Sequence, residues 1–329
     1  MTKRTKNLLN YLVGPILFIW LSWAIYKQLK TQSDLQQSRQ IILDALSGPQ
    51  NWKIGIVLIL MLMNWGIEAR KWQIQVNSIE ALSFAQAFKA VLAGQAMGFN
   101  TINRIGEPAA RAAFLKDGNK IRGAVLSITG SMAQIIVTFL LGTLSLLYMR
   151  WSILSADRQL EGLSVFWLDG FIYIIGAGIL LFTLAYFKLS GIIQLLEKIS
   201  WVARYRFFIE KLESVQGNEL VRLLSLSLGR YLVFLFQYLL LFQVFGVDLY
   251  WLDAFAMVGV MLTVLAVIPS MALAELGFRG KVSLLLFGLL SNNVVGIIAT
   301  AAGIWLINLI LPAILGTLFI LGLRIFRNK

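Results

Sequence analysis

The chain has 329 residues, of which 58% are hydrophobic and only 14% are charged, and its formal net charge is +13. A soluble domain is about half apolar and about a quarter charged, so this chain has too little charge to cover a water-facing surface. It has no His and no Cys, which excludes zinc sites, haem ligation through His, disulfides and Ser-His-Asp triads. We therefore expect an all-α integral membrane protein without a metal or cofactor.

Long apolar segments are distributed along the whole chain. A spanning helix needs about 20 mostly apolar residues, and the clear candidates are 8–26, 53–69, 123–149, 168–187 and 223–246. Residues 251–323 are also almost wholly apolar, with breaks at 269–281 and at Pro312. The first segment follows three basic residues, as a signal peptide would. We interpret it as a retained anchor, because it is longer than a typical signal core and no cleavage site follows.

The distribution of basic residues predicts the orientation of the chain. Lys and Arg are frequent at both termini and in the stretch 188–222, whereas 247–252 has none. The best fit places both termini and the 188–222 loop in the cytoplasm, in a multi-pass protein of a bacterial inner membrane. That loop mixes apolar with charged residues, so it is either an amphipathic helix on the membrane surface or a solvated connector.

The segment 84–100 is apolar enough to cross the membrane, but a basic cluster follows it. This cluster consists of Arg104, Arg111, Lys116, Lys120 and Arg122. If the segment crossed, the cluster and the 188–222 loop would face outward, against the charge rule. We therefore predict that residues 84–122 enter and leave the membrane from the cytoplasmic side. Non-helical backbone at membrane depth occurs only inside protein or beside a water-filled cavity, so this re-entrant hairpin predicts a cavity.

Two Glu/Arg pairs indicate an internal repeat. Glu107 with Arg111 and Glu275 with Arg279 have the same spacing and lie 168 residues apart. Shifted by that distance, the apolar segments at 53–69 and 123–149 fall on later apolar segments. This predicts a single domain of two halves, about 1–150 and 151–329, each with a broken or re-entrant hairpin. With three crossings in each half, the halves are inverted in the membrane, which is typical of transporter-like sites.

Two alternatives to this arrangement stay open at the level of sequence. The first is a chance coincidence of helix lengths. The second takes 251–268, 281–300 and 303–323 as three separate spans, which gives eight crossings instead of six. Charge counting does not separate the two numbers, so the sequence predicts six to eight crossings.

The first Glu/Arg pair lies in a polar segment that contains Asn103, Arg104 and Pro108. Pro108 suits the first turn of a helix, Glu107 complements the positive end of the helix dipole, and Arg111 lies one turn further on. Free N–H groups at this helix start, with two Arg nearby, predict a site for an anionic head group. The alternative is a capped helix start whose Arg residues only fix the topology.

The second pair, together with Lys281, stands between two long apolar runs. Ionisable groups in such places are costly in lipid and mark either a pathway or a mutual structural pair. Arg230 is a further candidate, about two turns into its predicted helix and within snorkelling reach of the head groups. No Walker loop or dinucleotide fingerprint appears, no residue is assigned to catalysis, and the positive charge favours anionic lipid over nucleic acid as a partner.

The segment Asn103-Arg104-Ile105-Gly106-Glu107, with Arg111, resembles the flippase-like transmembrane domain of lysylphosphatidylglycerol synthases, the multiple peptide resistance factors. Two further segments look like motifs of that family: Arg70-Lys71-Trp72, and Pro269-Ser270 followed by Glu275-Leu276-Gly277-Phe278-Arg279-Gly280. The likeness extends from about residue 8 to 323. Asn103 stands where the family often has Pro, and Gly280 where it often has Glu, so Glu275 as a substitute for that Glu is a hypothesis.

The resemblance implies lipid translocation, in which a phospholipid or polyprenol-linked head group moves between leaflets of the membrane. No counterpart of the aminoacyl-transferring domain of the full synthases is found, so we do not expect an enzyme that aminoacylates lipid. Related stand-alone proteins are similar to archaeal proteins linked to polyprenol-glycan processing. A membrane enzyme or accessory acting on a polyprenyl-phosphate glycan is therefore the alternative function, and a structural scaffold is a third.

The two Glu/Arg pairs give the most specific expectation. As matching parts of an inverted repeat, they are predicted to meet near the midplane and to line one cavity. Arg104, Arg111 and Arg279 would hold the phosphate of an anionic phospholipid or polyprenyl-phosphate lipid, while Glu107 and Glu275 balance charge in the empty site. Asn103, Arg230 and Lys281 are secondary candidates. The protein partner stays open between a second copy of the chain and a separate lipid-modifying enzyme.

Overall fold

The computed structural model describes residues 23, 48–99, 101, 104–154, 164–199, 206–268 and 272–321, and the predicted span 8–26 lies almost wholly outside them. The described residues form helices and short connections, without strands. The helices are α1 (Trp52–Val76), α2 (Phe84–Phe99), α3 (Gly106–Ala112), α4 (Lys120–Tyr148), α5 (Val165–Phe187), α6 (Leu189–Glu197), α7 (Arg206–Glu213), α8 (Gly217–Val244), α9 (Trp251–Val267), α10 (Ala272–Phe287), α11 (Val294–Trp305) and α12 (Leu311–Leu321). A π-helical turn, Met149–Ile153, extends α4.

Five helical stretches of the described chain are long and apolar enough to cross a membrane. They are Trp52–Val76, Lys120–Ile153, Val165–Phe187, Gly217–Val244 and Val294–Ile320. This is the pattern of a multi-pass membrane protein, as the sequence predicts. Most of these helices are longer than the apolar segments, because polar residues at their ends continue the backbone hydrogen bonding.

The predicted break at Pro312 is absent. A π-helical turn, Leu306–Ile310, joins α11 directly to α12. This wider turn precedes Pro312, so the helix continues past a residue that lacks an N–H donor. The predicted bounds 281–300 and 303–323 do not match the described helices, because α10 ends at Phe287 and one continuous helical stretch, Val294–Ile320, follows it. The number of crossings stays a prediction.

The core of the bundle is the antiparallel pair of α1 and α8. Gln237 of α8 donates to the carbonyl of Val57 at 2.9 Å, and near the same end Lys53 donates to Gln243 at 2.8 Å. On the two sides of this pair, α2 packs against α12 and α9 packs against α4. Glycine allows the close approach of α2 and α12, because a Cβ at Gly316 of α12 would collide with the backbone of α2.

Two hairpins of shorter helices lie between the long ones. In the first, α2 has 16 residues and the seven-residue α3 packs back against it. In the second, α9 has 17 residues and α10 has 16. The hairpins meet in a small apolar cluster that contains Phe99 at the end of α2, Leu276 of α10 and Trp305 of α11.

The 188–222 loop is helical in its described part. Leu189 and Ile193 of α6 and Leu212 of α7 are buried in one apolar cluster with Leu126 of α4. The connector is thus folded against the bundle through an apolar face, which agrees with an amphipathic helix rather than with a solvated chain.

Candidate anion-binding site

A buried carboxylate, Glu68 of α1, lies at the centre of a charge cluster between three helices. Arg111 of α3 donates from Nη1 to Glu68 Oε1 at 2.7 Å, and Arg230 of α8 donates from Nη1 to Oε2. Lys71 Nζ lies 3.4 Å from the same Oε2. Arg230 also donates from Nε to Asn64 Oδ1 at 2.8 Å. Because Glu68 and Lys71 are almost completely buried, these contacts replace the water that the charges would otherwise require.

A second carboxylate, Glu107 of α3, lies at the outer side of the cluster. Arg111 donates from Nη2 to Glu107 Oε1, so the pair predicted from the spacing is in contact and Arg111 bridges two carboxylates. Arg104 Nε lies 3.6 Å from Glu107 Oε2, and Arg104 Nη2 donates to Gln95 of α2. Gln95 in turn donates to the carbonyl of Leu309 in the π-helical turn at 3.5 Å. The cluster thereby connects the first hairpin to α1, to α8 and to the π-helical turn before α12.

Two glycines of α2 allow α3 to reach this position. A Cβ at Gly94 would stand 2.8 Å from Cγ of Arg111, and a Cβ at Gly98 would stand 3.2 Å from Cβ of Glu107. Any side chain at Gly94 would therefore displace Arg111. The sequence shows that this segment is rich in small residues, and the structure shows that the two glycines seat the charged helix.

The start of α3 differs in one respect from the prediction. Glu107 and Pro108 lie in its first turn as expected, but the N–H of Gly106 donates to Thr101 Oγ1 at 3.0 Å. This N–H is therefore not free for a head group, and α3 has only seven residues. Arg104 has a φ of 58°, a left-handed conformation that is uncommon for a residue with a side chain. Side chains, rather than a helix end, provide the donors here.

A cavity of about 410 Å³ opens beside the cluster, within the size range of ligand sites. It is lined by Arg104, Ile105, Glu107, Pro108, Arg111, Ser127 and Ser131. The side chain of Arg104 is 45% exposed and that of Glu107 is 17% exposed. The two guanidinium groups of Arg104 and Arg111 contact this carboxylate and favour its ionised form.

Arg230 occupies a different place from the one predicted. The helix begins at Gly217 and ends at Val244, so Arg230 is thirteen residues from one end and fourteen from the other. At 1.5 Å per residue this is about 20 Å from either end. Arg230 therefore does not extend to the head groups but turns inward to Glu68, because the buried carboxylate requires a partner. The charge cluster lies near mid-length of α8.

The structure brings together Arg104, Glu107, Arg111 and Arg230, but it places Arg279 elsewhere. Arg279 of α10 is buried and donates from Nη1 to the hydroxyl of Tyr238 at 2.6 Å, two turns along α8 from Arg230. It is not among the residues that line the cavity. Lys281 is exposed. Asn103 and the side chain of Glu275 lie outside the described residues, so a cavity shared by both pairs stays a prediction.

The sequence did not predict Glu68 and Lys71 as site residues. The available signal was Glu68, an acidic residue within the predicted span 53–69 and three residues before Lys71, because ionisable groups within a span need partners. No metal-binding group of three or more acidic side chains occurs in the described part of the chain.

No family model matches this chain, and no curated protein matches it. The resemblance to flippase-like domains therefore rests on the short motifs alone and stays a prediction. Four residues of those motifs, Lys71, Arg104, Glu107 and Arg111, belong to the described cluster.

Proposed function

We propose that this protein binds the anionic head group of a membrane lipid at Arg104 and Arg111 and moves the lipid between leaflets without changing it covalently. The observation that carries the proposal is the position of Arg111, which is shared between Glu68 and Glu107 at the edge of a cavity. Ionisable side chains inside a membrane are costly and mark substrate pathways. The planar guanidinium fork also fits the oxygens of a phosphate.

In this proposal Glu107 occupies the place of the phosphate while the site is empty. Its carboxylate contacts both Arg residues that line the cavity, so an incoming phosphate competes with it. Glu68 contacts Arg111 from the opposite, buried side, and it holds the guanidinium in place during the exchange. Because one anion replaces another, no Arg is left unpaired in a low dielectric at any step.

The proposal includes two inverted halves with six crossings and cytoplasmic termini in an inner membrane. Two features of the helix packing support halves related by a two-fold axis in the membrane plane. α1 pairs with α8, its counterpart in the other half, and the pairing of α2 with α12 corresponds to the pairing of α9 with α4. Helices of 16 or 17 residues in both hairpins are shorter than the roughly 20 that a crossing requires. This supports re-entrant hairpins, and their contact through Phe99 and Leu276 supports a common midplane position.

The test uses the purified protein in vesicles that contain phosphatidylglycerol with a fluorescent acyl chain. An impermeant quencher removes the outer-leaflet signal only, so lipid movement raises the quenchable fraction above one half. Arg111→Lys is expected to slow the movement by about tenfold or more, because an ammonium group lacks the planar fork that donates both to Glu68 and to the phosphate that replaces Glu107. Arg70→Lys is the matched control, since Arg70 is exposed and donates to Gln73.

Three outcomes are informative. Movement of unaltered lipid that Arg111→Lys abolishes and Arg70→Lys preserves supports the proposal. Normal movement in the correctly inserted Arg111→Lys protein would place the site elsewhere. A chemically modified lipid, detected by mass spectrometry of the same vesicles, would favour the enzymatic alternative.

A further inference from the structure

The charge cluster has an excess of positive charge. Among the described residues joined by its ion pairs, four cations, Lys71, Arg104, Arg111 and Arg230, face two carboxylates, Glu68 and Glu107. The formal charge is therefore four minus two, or +2. Uncompensated charge is costly in a partly desolvated site, so this cluster is complementary to a dianion.

The excess positive charge of the cluster lies on the side of the cavity. Lys71 is already used inside the bundle, where it donates to the carbonyl of Gly130 at 3.2 Å, and Arg230 is held by Asn64. Arg104 and Arg111 line the cavity. Arg104 is half-exposed, so its guanidinium group keeps donor capacity. Nη2 of Arg111, which donates to Glu107, becomes a donor to the ligand when the ligand displaces that carboxylate.

The opposite wall of the cavity belongs to α4. It is formed by Ser127 and Ser131, whose hydroxyls donate to carbonyls of their own helix. Each hydroxyl has one O–H donor and can rotate to donate it to a phosphate oxygen in exchange for its bond within the helix. Polar groups thus face the two Arg side chains across the cavity.

The lining of the cavity includes Ser131, which lies on an exposed apolar face of α4. Ile105, which also lines the cavity, is 72% exposed. Ile128 and Ile135 lie one turn before and after Ser131 on the same face, and both are exposed. A ligand with hydrocarbon chains can place them along this face while its head group enters the cavity. This surface favours a lipid over a soluble anion.

We infer that the preferred ligand is a lipid whose head group is a phosphomonoester, in preference to a phosphodiester lipid. This inference rests on the proposed function. A phosphomonoester has a second pKa near 6 and carries a charge of about −1.5 to −2 at pH 7, with three terminal oxygens. It compensates the excess charge and presents oxygens to both Arg forks. A phosphodiester carries one negative charge and leaves the cluster positive.

The experiment compares phosphatidic acid with phosphatidylglycerol of identical labelled chains in the vesicle assay. At pH 7.5 phosphatidic acid is expected to move about tenfold faster or more, because it adds one charge-assisted contact. At pH 5, below the second pKa of the phosphate, its rate should approach that of phosphatidylglycerol. Phosphatidylglycerol has no second phosphate ionisation, so its own rate at the two pH values reports any effect of pH on the protein.

Two further arms complete the test. Arg104→Gln lowers the formal charge to +1 and should reduce the preference for phosphatidic acid, whereas Arg70→Gln, outside the cluster, should leave it unchanged. Soluble glycerol phosphate is added as a competitor and should not slow the lipid, because it lacks the chains that contact α4.

The outcomes separate this inference from the proposed function. Equal rates for the two lipids in the wild-type protein would overturn the preference for a phosphomonoester and leave lipid translocation standing. Movement of neither lipid would overturn both. Equal competition by glycerol phosphate would show that the site takes the phosphate group from solution, and it would overturn the role of the apolar face.

Discussion

Replacing Glu68 by Gln removes the central negative charge and keeps the shape of the side chain. Arg111, Arg230 and Lys71 then lose the carboxylate that they share, and the formal charge of the described cluster rises from +2 to +3. Loss of one partner from a buried ion pair typically costs about 3–5 kcal/mol. Gln keeps one carbonyl oxygen that accepts a hydrogen bond, so we expect a loss near the lower end, about 3 kcal/mol.

The measurement is the free energy of unfolding in detergent micelles, followed by Trp fluorescence during a denaturant titration. Glu210→Gln is the matched control, because it breaks an ion pair of 2.8 Å with Arg122 in which Glu210 is 40% exposed. Exposed pairs contribute about 0–1 kcal/mol. Equal small losses in both variants would refute the view that Glu68 compensates the buried cations.

Three other predictions address the exchange, the packing and the topology. Glu107→Gln should bind phosphatidylglycerol about tenfold more tightly, or 1.4 kcal/mol, because the competing carboxylate is neutral; unchanged binding by lipid pull-down would contradict the exchange. Gly94→Ala should slow transport by about tenfold, because the added Cβ meets Arg111. The control is Gly55→Ala, which should leave transport unchanged because nothing lies within 4 Å of a Cβ at that position. The chain has no native Cys, so single cysteines can report the topology. Cysteines that replace Ser200 and Asn328 should be shielded from an impermeant thiol reagent in intact cells, and one that replaces Asp248 should be labelled. The opposite labelling pattern would show that the predicted orientation is inverted.

Features that depend on local geometry could be predicted from the sequence. The apolar runs 123–149 and 168–187 fall within α4, with its π-helical extension, and α5, because a bilayer crossing imposes a minimum apolar length. The contact of Glu107 with Arg111 follows from their spacing on one helix. For both, the information lies within a single segment of the chain.

Features that depend on the packing of distant segments could not be predicted. Glu68 receives its ion pair with Arg230 from a residue 162 positions away, and no spacing within either helix indicates this contact. The apolar pattern also predicts a start of α8 near residue 223, whereas α8 begins at Gly217, because its first two turns contain Asn218, Glu219 and Arg222. This pattern places Arg230 near the membrane surface, but Arg230 lies at mid-length of the helix.

The arrangement of the cluster couples ligand binding to the position of the first hairpin. Arg111 joins α3 to α1 through Glu68 and lines the cavity that would hold the phosphate. A ligand that replaces Glu107 therefore changes the charges that hold α3 between α1, α2 and α4. A ligand shifts a conformational equilibrium only through its different affinity for the two states. Because the ligand and α3 use the same guanidinium group, a movement of this hairpin would change the affinity for the head group directly, as alternating access requires.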